Sequence, residues 1–233
     1  MTSEEKNQSD IVNSELNLNY SKYIFNDKPL NRFQTKPEVE DISTKLDELK
    51  NEISKIENCE LKKNASKIVF SDGNYKSKIM IVGEGPGQKE DEQGKPFVGD
   101  AGLLLNKMLK SINIERKQVY ITNVVNYRPQ NNRKPEPSEI VKYSNFLRRH
   151  ITIIDPKILI LMGSTAMESL FGSNTKITKE RGSWKDIIIN NTTYLCMITF
   201  HPAYLLRQPE NKKFSWTDLK EIRKKIDQLN IVL

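Results

Sequence analysis

The sequence predicts an α/β fold, a three-layer sandwich around a mainly parallel central sheet. Three observations carry that prediction. Short apolar runs recur along the chain: "KIVF" (67–70), "KIMIV" (78–82), "VYITNVV" (119–125), "KILILM" (157–162) and "YLCMITF" (194–200). Segments with helical spacing of apolar residues lie between them, and alternation of the two kinds of segment argues for strands covered by helices. The second run opens directly into a glycine- and proline-rich loop, as expected where a strand ends at a ligand-binding rim.

Taken in order, residues 1–36 are polar, rich in Asn, Ser and Asp, and carry no sustained period. They read as a flexible polar tail, with "YSKYIF" as a candidate docking segment. The domain proper is expected over 37–233. It opens with Val39, Ile42, Leu46, Leu49, Ile53 and Ile56, a single apolar stripe on a helix. After Asp100, the residues Leu104, Leu105, Met108, Leu109 and Ile112 form another stripe. "PSEIVKYSNFLRRHITII" gives a third helix starting at Pro137 or Ser138, and "SWTDLKEIRKKIDQL" a last one. His150, Trp184 and Trp216 read as structural, core-type residues.

Composition limits the function classes. The chain has 233 residues, with 37 Lys and Arg against 30 Asp and Glu, a net charge of +7. That excess favours a polyanionic partner, although a merely solubilising lysine surface is an equal reading. The longest apolar runs are far short of a membrane span. No secretory or transit signal is evident at "MTSEEKNQSD". Two cysteines, Cys59 and Cys196, make no disulfide framework and suit a reducing cytoplasm.

The loop "GEGPGQKEDEQGKPFVG" (83–99) holds seven glycines and prolines and four carboxylates. A dinucleotide fingerprint needs G-x-G-x-x-G, and here the third glycine is missing. Pro86 removes one of the backbone N–H groups that would cradle pyrophosphate. A Walker loop fails as well, with Lys89 in place of its first glycine and Pro96 in place of its hydroxyl residue. The surviving reading is a pocket wall that approaches a flat ligand closely, with carboxylates to accept from it or to hold a water.

With its neighbours the loop becomes specific. "GEGPGQKEDEQGKPFVGDAGLLLNKML", "VYITNVVNYRPQNNRKPEPSE", "ITKERGSW" and "TFHPAYLLRQP" follow one another in that order. Together they resemble the uracil-DNA glycosylase superfamily, most closely its family-4 enzymes, over about residues 53–220. The resemblance implies a monofunctional N-glycosylase of base-excision repair. It would hydrolyse the bond between uracil and deoxyribose in single- or double-stranded DNA and leave an abasic site. A flipped base would be captured in a snug pocket. Phe97 would stack on it, and Asn123 would read its Watson–Crick edge. His201 would donate to O2 as negative charge develops on the departing base.

Gly85 occupies the position of an Asp in the best-known branch of the superfamily, so Glu84 and Glu90 become the candidates for orienting water or the loop. Gly87 replaces that branch's thymine-blocking Tyr, and Glu90 is expected to crowd the C5 position instead. Asn132 is a further pocket residue. Leu205 or Leu206 is expected to wedge into the duplex, and Arg207, Lys212 and Lys213 to hold phosphates. Two other readings compete: a non-catalytic DNA-binding module on the same fold, or a glycosylase for deaminated purines. The chain is expected to act as a monomer, without a membrane.

The chain departs from the resemblance at one place. Family-4 enzymes usually hold a 4Fe–4S cluster on four cysteines, and the matching positions here are Ile56, Cys59, Tyr127 and Tyr143. One thiolate cannot supply a cubane's ligands. The expectation is therefore no metal and no cofactor, with side chains filling the cluster's volume.

Overall fold

The computed structural model describes residues 41–174 and 176–233. The expected tail, its "YSKYIF" segment and Val39 lie outside them. The described strands are β1 (Ser71–Gly73), β2 (Ile79–Gly83), β3 (Tyr120–Asn123), β4 (Ile158–Met162), β5 (Trp184–Ile189) and β6 (Thr192–Thr199). They form one sheet in the order β1-β3-β2-β4-β6-β5. The four central strands are mutually parallel, and β1 and β5 add antiparallel edges.

The described helices are α1 (Ile42–Ser54), α2 (Glu60–Asn64), α3 (Gln88–Gln93), α4 (Asp100–Lys110), α5 (Pro137–Ile154), α6 (Ser164–Phe171), α7 (Ile177–Glu180), α8 (Pro202–Arg207) and α9 (Lys212–Gln228). The period of two along the strands splits the core into two layers. Met80, Val82, Leu159 and Leu161 pack with Leu49 and Ile53 of α1, Leu147 and Ile151 of α5, and Met167 of α6. Ile79, Ile81, Ile158 and Ile160 pack with Leu105 and Leu109 of α4, Leu205 of α8, and Leu219 and Ile222 of α9. This is the three-layer sandwich the sequence predicts. β2 and β4 are buried along their whole length. Burying one Leu or Ile contributes roughly 1.5–3 kcal/mol, so these continuous runs anchor the sheet against both helical layers.

Helix α5 starts at Pro137, where a missing N–H costs nothing. The Glu139 carboxylate accepts from the Glu136 N–H at 2.7 Å, which satisfies one of the orphan donors at that end. The helix ends at Asp155 in the left-handed region, φ 48°.

Two expectations need correction. "KIVF" is not a strand: the edge strand is the following Ser71–Gly73. Val69 donates to the Asn126 carbonyl, while Asn126 and Thr122 side chains bond the carbonyls of Val69 and Phe70. Side chains thus take the groups that a ladder would have used. The sequence reading also missed β5, which pairs with β6 through a tight hairpin. Asn190 and Asn191 supply its two left-handed residues, φ 49° and 62°.

Candidate active site

Strands β2, β3 and β6 deliver their carboxyl ends to one rim. Gly83 and Asn123 are register partners there, and Thr199 is the last residue of β6, two before His201. Beneath that rim lies a cavity of about 440 Å³, lined by Glu84, Gly85, Phe97, Asn123 and His201 among others. The sequence-predicted Glu90, Asn132 and Arg207 line it as well.

Asn123 is buried, and its carboxamide has no hydrogen-bond partner among the described residues. A buried amide left open to a cavity is a recognition group in waiting, because such groups are normally paired. Gly83 makes room for it. A Cβ there would lie 2.4 Å from Asn123 Oδ1 and 2.5 Å from Phe97 Cζ, so the amide and the ring converge over a residue that must lack a side chain.

Phe97 adopts φ 52°, unusual for a bulky residue. Arg116 holds that turn: its guanidinium donates to the Pro96 carbonyl at 2.7 Å and the Phe97 carbonyl at 3.0 Å, and pairs with Asp72 at 2.8 Å. Gly102 of α4 allows the close approach, since a Cβ there would fall 1.8 Å from the Phe97 oxygen. The Phe97 and His201 rings are neighbours, with centroids 5.3 Å apart and planes 27° apart. A base between two rings would need about 7 Å, twice the 3.4 Å stacking rise of DNA. The two rings are therefore stacked on each other, with too little space between them for a base.

His201 is the N-cap of α8, and its Nδ1 accepts from the Ala203 N–H at 3.1 Å. That bond assigns the proton of the neutral ring to Nε2. Removal from water, reinforced by the Arg207 charge, lowers the His201 pKa from 6.5 to about 4. The ring is thus neutral at pH 7 and a donor through Nε2. Gly163, φ 93°, backs it: a Cβ there would lie 3.0 Å from His201 Cβ.

The two candidate carboxylates have different surroundings. Glu90 is buried and accepts from the backbone N–H groups of Gly87, Val98 and Gly99 at 3.1, 2.9 and 2.7 Å. It ties the glycine loop to the Phe97 turn. Glu84 Oε2 accepts from Thr165 Oγ1 at 2.6 Å, and Oε1 has no partner among the described residues. Asn132 is exposed, with Oδ1 held by Arg128 at 2.8 Å.

A sequence profile of the uracil DNA glycosylase superfamily matches residues 70–222. The chain belongs to the uracil DNA glycosylase superfamily. It is 42% identical to a Type-4 uracil-DNA glycosylase of Thermotoga maritima over 161 residues, 69% of this chain and 82% of that protein. A Type-4 uracil-DNA glycosylase of Sulfurisphaera tokodaii is also 42% identical, over 186 residues, 76% of this chain and 83% of the other. A third, from Archaeoglobus fulgidus, is 36% identical over 181 residues, 76% of this chain and 91% of that protein.

For a uracil DNA glycosylase superfamily member, some expected residues stand elsewhere than predicted. Leu205 is 1% exposed and packs in the core, so it has no surface to insert into DNA, whereas Leu206 is 43% exposed. Trp216 is not core but 45% exposed. Trp184 is partly buried against the second core layer. His150 is buried as expected, stacked 4.6 Å from Phe70 and bonded to the Tyr120 hydroxyl at 2.7 Å. Sequence reasoning missed Arg116, Thr165 and Gly83's double contact. Arg116 sits outside the quoted motifs, and only its lone position before "KQVY" distinguishes it.

The four positions that would hold a 4Fe–4S cluster do not fit one. Cys59, Tyr127 and Tyr143 are buried in the first core layer, and Ile56 packs against it. Cys59 Sγ lies 3.4 Å from the Tyr143 hydroxyl. Burial raises the pKa of both phenols, so each stays protonated and is no anionic ligand. The surrounding loop is tied down instead by Lys62, which donates to the Ser54 carbonyl at 2.6 Å, and Lys142, which donates to those of Glu57 and Asn58 at 2.7 and 3.0 Å. Among the described residues no group of three or more His, Cys, Asp or Glu is placed to hold a metal ion. None of their helices is long and apolar enough to cross a membrane.

Proposed function

We propose that this protein is a uracil-DNA glycosylase that hydrolyses the N-glycosidic bond of a flipped-out deoxyuridine in DNA. One observation carries the reading: an unpartnered buried amide, a ring wall and a neutral Nε2–H donor converge on a single cavity at the strand ends. Extruding the base costs a few kcal/mol. Stacking on Phe97 returns about 1–3 kcal/mol, and each hydrogen bond to Asn123 about 0.5–1.5 kcal/mol. The base lies against Phe97, its O4 and N3–H meeting the Asn123 amide and its O2 edge turned toward His201. Cytosine presents the opposite donor and acceptor order and leaves those groups unpaired, at roughly 1–3 kcal/mol each.

As the C1′–N1 bond breaks, its electron pair leaves with the base and charge collects on O2, where His201 Nε2–H donates. Such donors are worth about 10²–10³-fold in rate. A water held by the free oxygen of Glu84 bonds to C1′. Its proton passes through that carboxylate to solvent, and the uracil anion takes a proton from solvent. Glu90 keeps the loop and Phe97 in place, with Gly85 and Asn132 completing the walls. Leu206 is the wedge, and Arg207 at the cavity mouth holds phosphate.

The same reading includes no iron–sulfur cluster: the thiol–phenol contact of Cys59 and Tyr143 does the packing that the cluster would do. It places the protein, as a monomer, in the reducing cytoplasm.

The test is excision from labelled oligonucleotides carrying one uracil, cytosine, thymine or hypoxanthine, followed by alkali. Strand breaks at uracil alone are expected. Breaks at hypoxanthine but not uracil would favour a purine glycosylase. Binding without any breaks would favour a non-catalytic module.

A further inference from the structure

We infer that the face around Trp216 is a stacking platform for single-stranded DNA beside the flipped nucleotide. Helices α4, α8 and α9 bound a groove of about 200 Å³, lined by Leu104, Lys107, Met108, Leu205, Lys212 and Trp216. Helix α8 separates this groove from the active-site cavity. Its Leu205 lines the groove, while its Tyr204 and Arg207 line the cavity. A strand entering the cavity therefore leaves across α8 and Leu206 toward Trp216.

The chemistry names the occupant. Trp216 presents a large exposed aromatic surface. Lys220 Nζ sits 5.9 Å from its ring centroid. Among the described residues Lys107 and Lys212 have no ion-pair partner, and Lys220 has only its contact with the Trp216 ring. Lysine is depleted in protein–protein interfaces, whereas an aromatic face flanked by cations is the pattern that binds single strands. An unpaired base stacks on the indole, and Lys107 and Lys212 meet the flanking phosphates. Bases of an intact duplex are already stacked, so the platform discriminates for single strands.

The inference rests on the proposed action on DNA, and its test separates the two. The full chain is titrated with uracil-free oligothymidylate and with a uracil-free duplex, reading tryptophan fluorescence and affinity. With two tryptophans in the chain, Trp216→Phe assigns the signal. Quenching by the single strand is expected in the wild type and is lost in Trp216→Phe. Trp216→Ala is expected to weaken single-strand affinity about five- to hundredfold and duplex affinity less than twofold. Lys212→Gln is expected to reduce the salt slope by about 0.7. Unchanged single-strand affinity in Trp216→Ala, or an equal loss on duplex, overturns the platform. A change in sedimentation of Trp216→Ala without a change in DNA affinity also overturns it, in favour of a protein contact. Uracil excision by the wild type, run in parallel, reports on the proposed function separately: excision with an inert Trp216 sinks only the platform, and quenching without excision sinks only the glycosylase reading.

Discussion

At Gly83 a single methyl group would strike both the Asn123 amide and the Phe97 ring. Gly83→Ala is therefore expected to lose at least tenfold in uracil excision while melting within a few degrees of wild type. Wild-type rates in that variant would show that the two side chains do not act together on the base. The pH behaviour follows from two histidines. Burial lowers His150 to about 3, and burial with the Arg207 charge lowers His201 to about 4. The unfolded chain binds a proton near pH 6.5, so stability is full above that value. It falls as pH drops from 6.5 toward 4, where His201 protonates, and toward 3 for His150. The loss is about 2 kcal/mol at pH 5 for the buried His150 and smaller for His201, which is only partly buried. Urea midpoints measured from pH 7 to 5 should decline steadily, and flat midpoints would contradict the burial of these rings as neutral groups. The candidate residues Phe97, Asn123 and His201 are legible in the sequence because they stand in the ordered motifs that carry the family resemblance. The groups that hold them are not. Arg116 acts through two carbonyls some twenty residues away, and nothing local marks that contact.

Between elements, the buried carboxylate of Asp218 ties three segments together. It pairs with Arg181 just after α7, accepts from Thr199 Oγ1 at the end of β6 at 2.7 Å, and sits where only a glycine at 182 leaves room. Arg181 in turn lies over the Phe200 and Phe214 rings, at 5.8 and 5.3 Å from their centroids. This network fixes the strand end that leads into His201. Asp218→Ala leaves the part-buried Arg181 guanidinium and the buried Thr199 hydroxyl without this carboxylate, at roughly 1–3 kcal/mol for each group. At 2–4 °C per kcal/mol for a unit of this size, a fall in Tm of roughly 10 °C is expected, and a shift under 2 °C would contradict it. The helical stripes and the four central strands are legible because period and burial agree there. The antiparallel edges are not, because edge pairing depends on turns and side-chain bonds. Asn190-Asn191 between "DIII" and "TTYL" is the hairpin signal that was available for β5. At "KIVF" the apolar pattern points to a strand, but Thr122 and Asn126 satisfy its carbonyls.

Over the whole molecule, the sheet separates two apolar layers, and the first of them includes the Cys59–Tyr127–Tyr143 patch. Protein purified without oxygen is expected to contain no stoichiometric iron and no broad ~400 nm band of a thiolate cluster, and chelators should leave its Tm unchanged. Tyr143→Ala should cost about 3–5 kcal/mol as a large core truncation, while Cys59→Ser costs less. Stoichiometric iron, or a Cys59 variant as unstable as the Tyr143 one, would contradict packing as the basis of that region. Three side chains are proposed to act together on one extruded pyrimidine. Single-turnover excision from a uracil oligonucleotide, compared among wild type, Phe97→Ala, Asn123→Ala and His201→Ala, tests it most directly. Excision by the wild type and losses of about 10²-fold or more in the Asn123 and His201 variants are expected, with native-like melting. Full rates in both variants would contradict it.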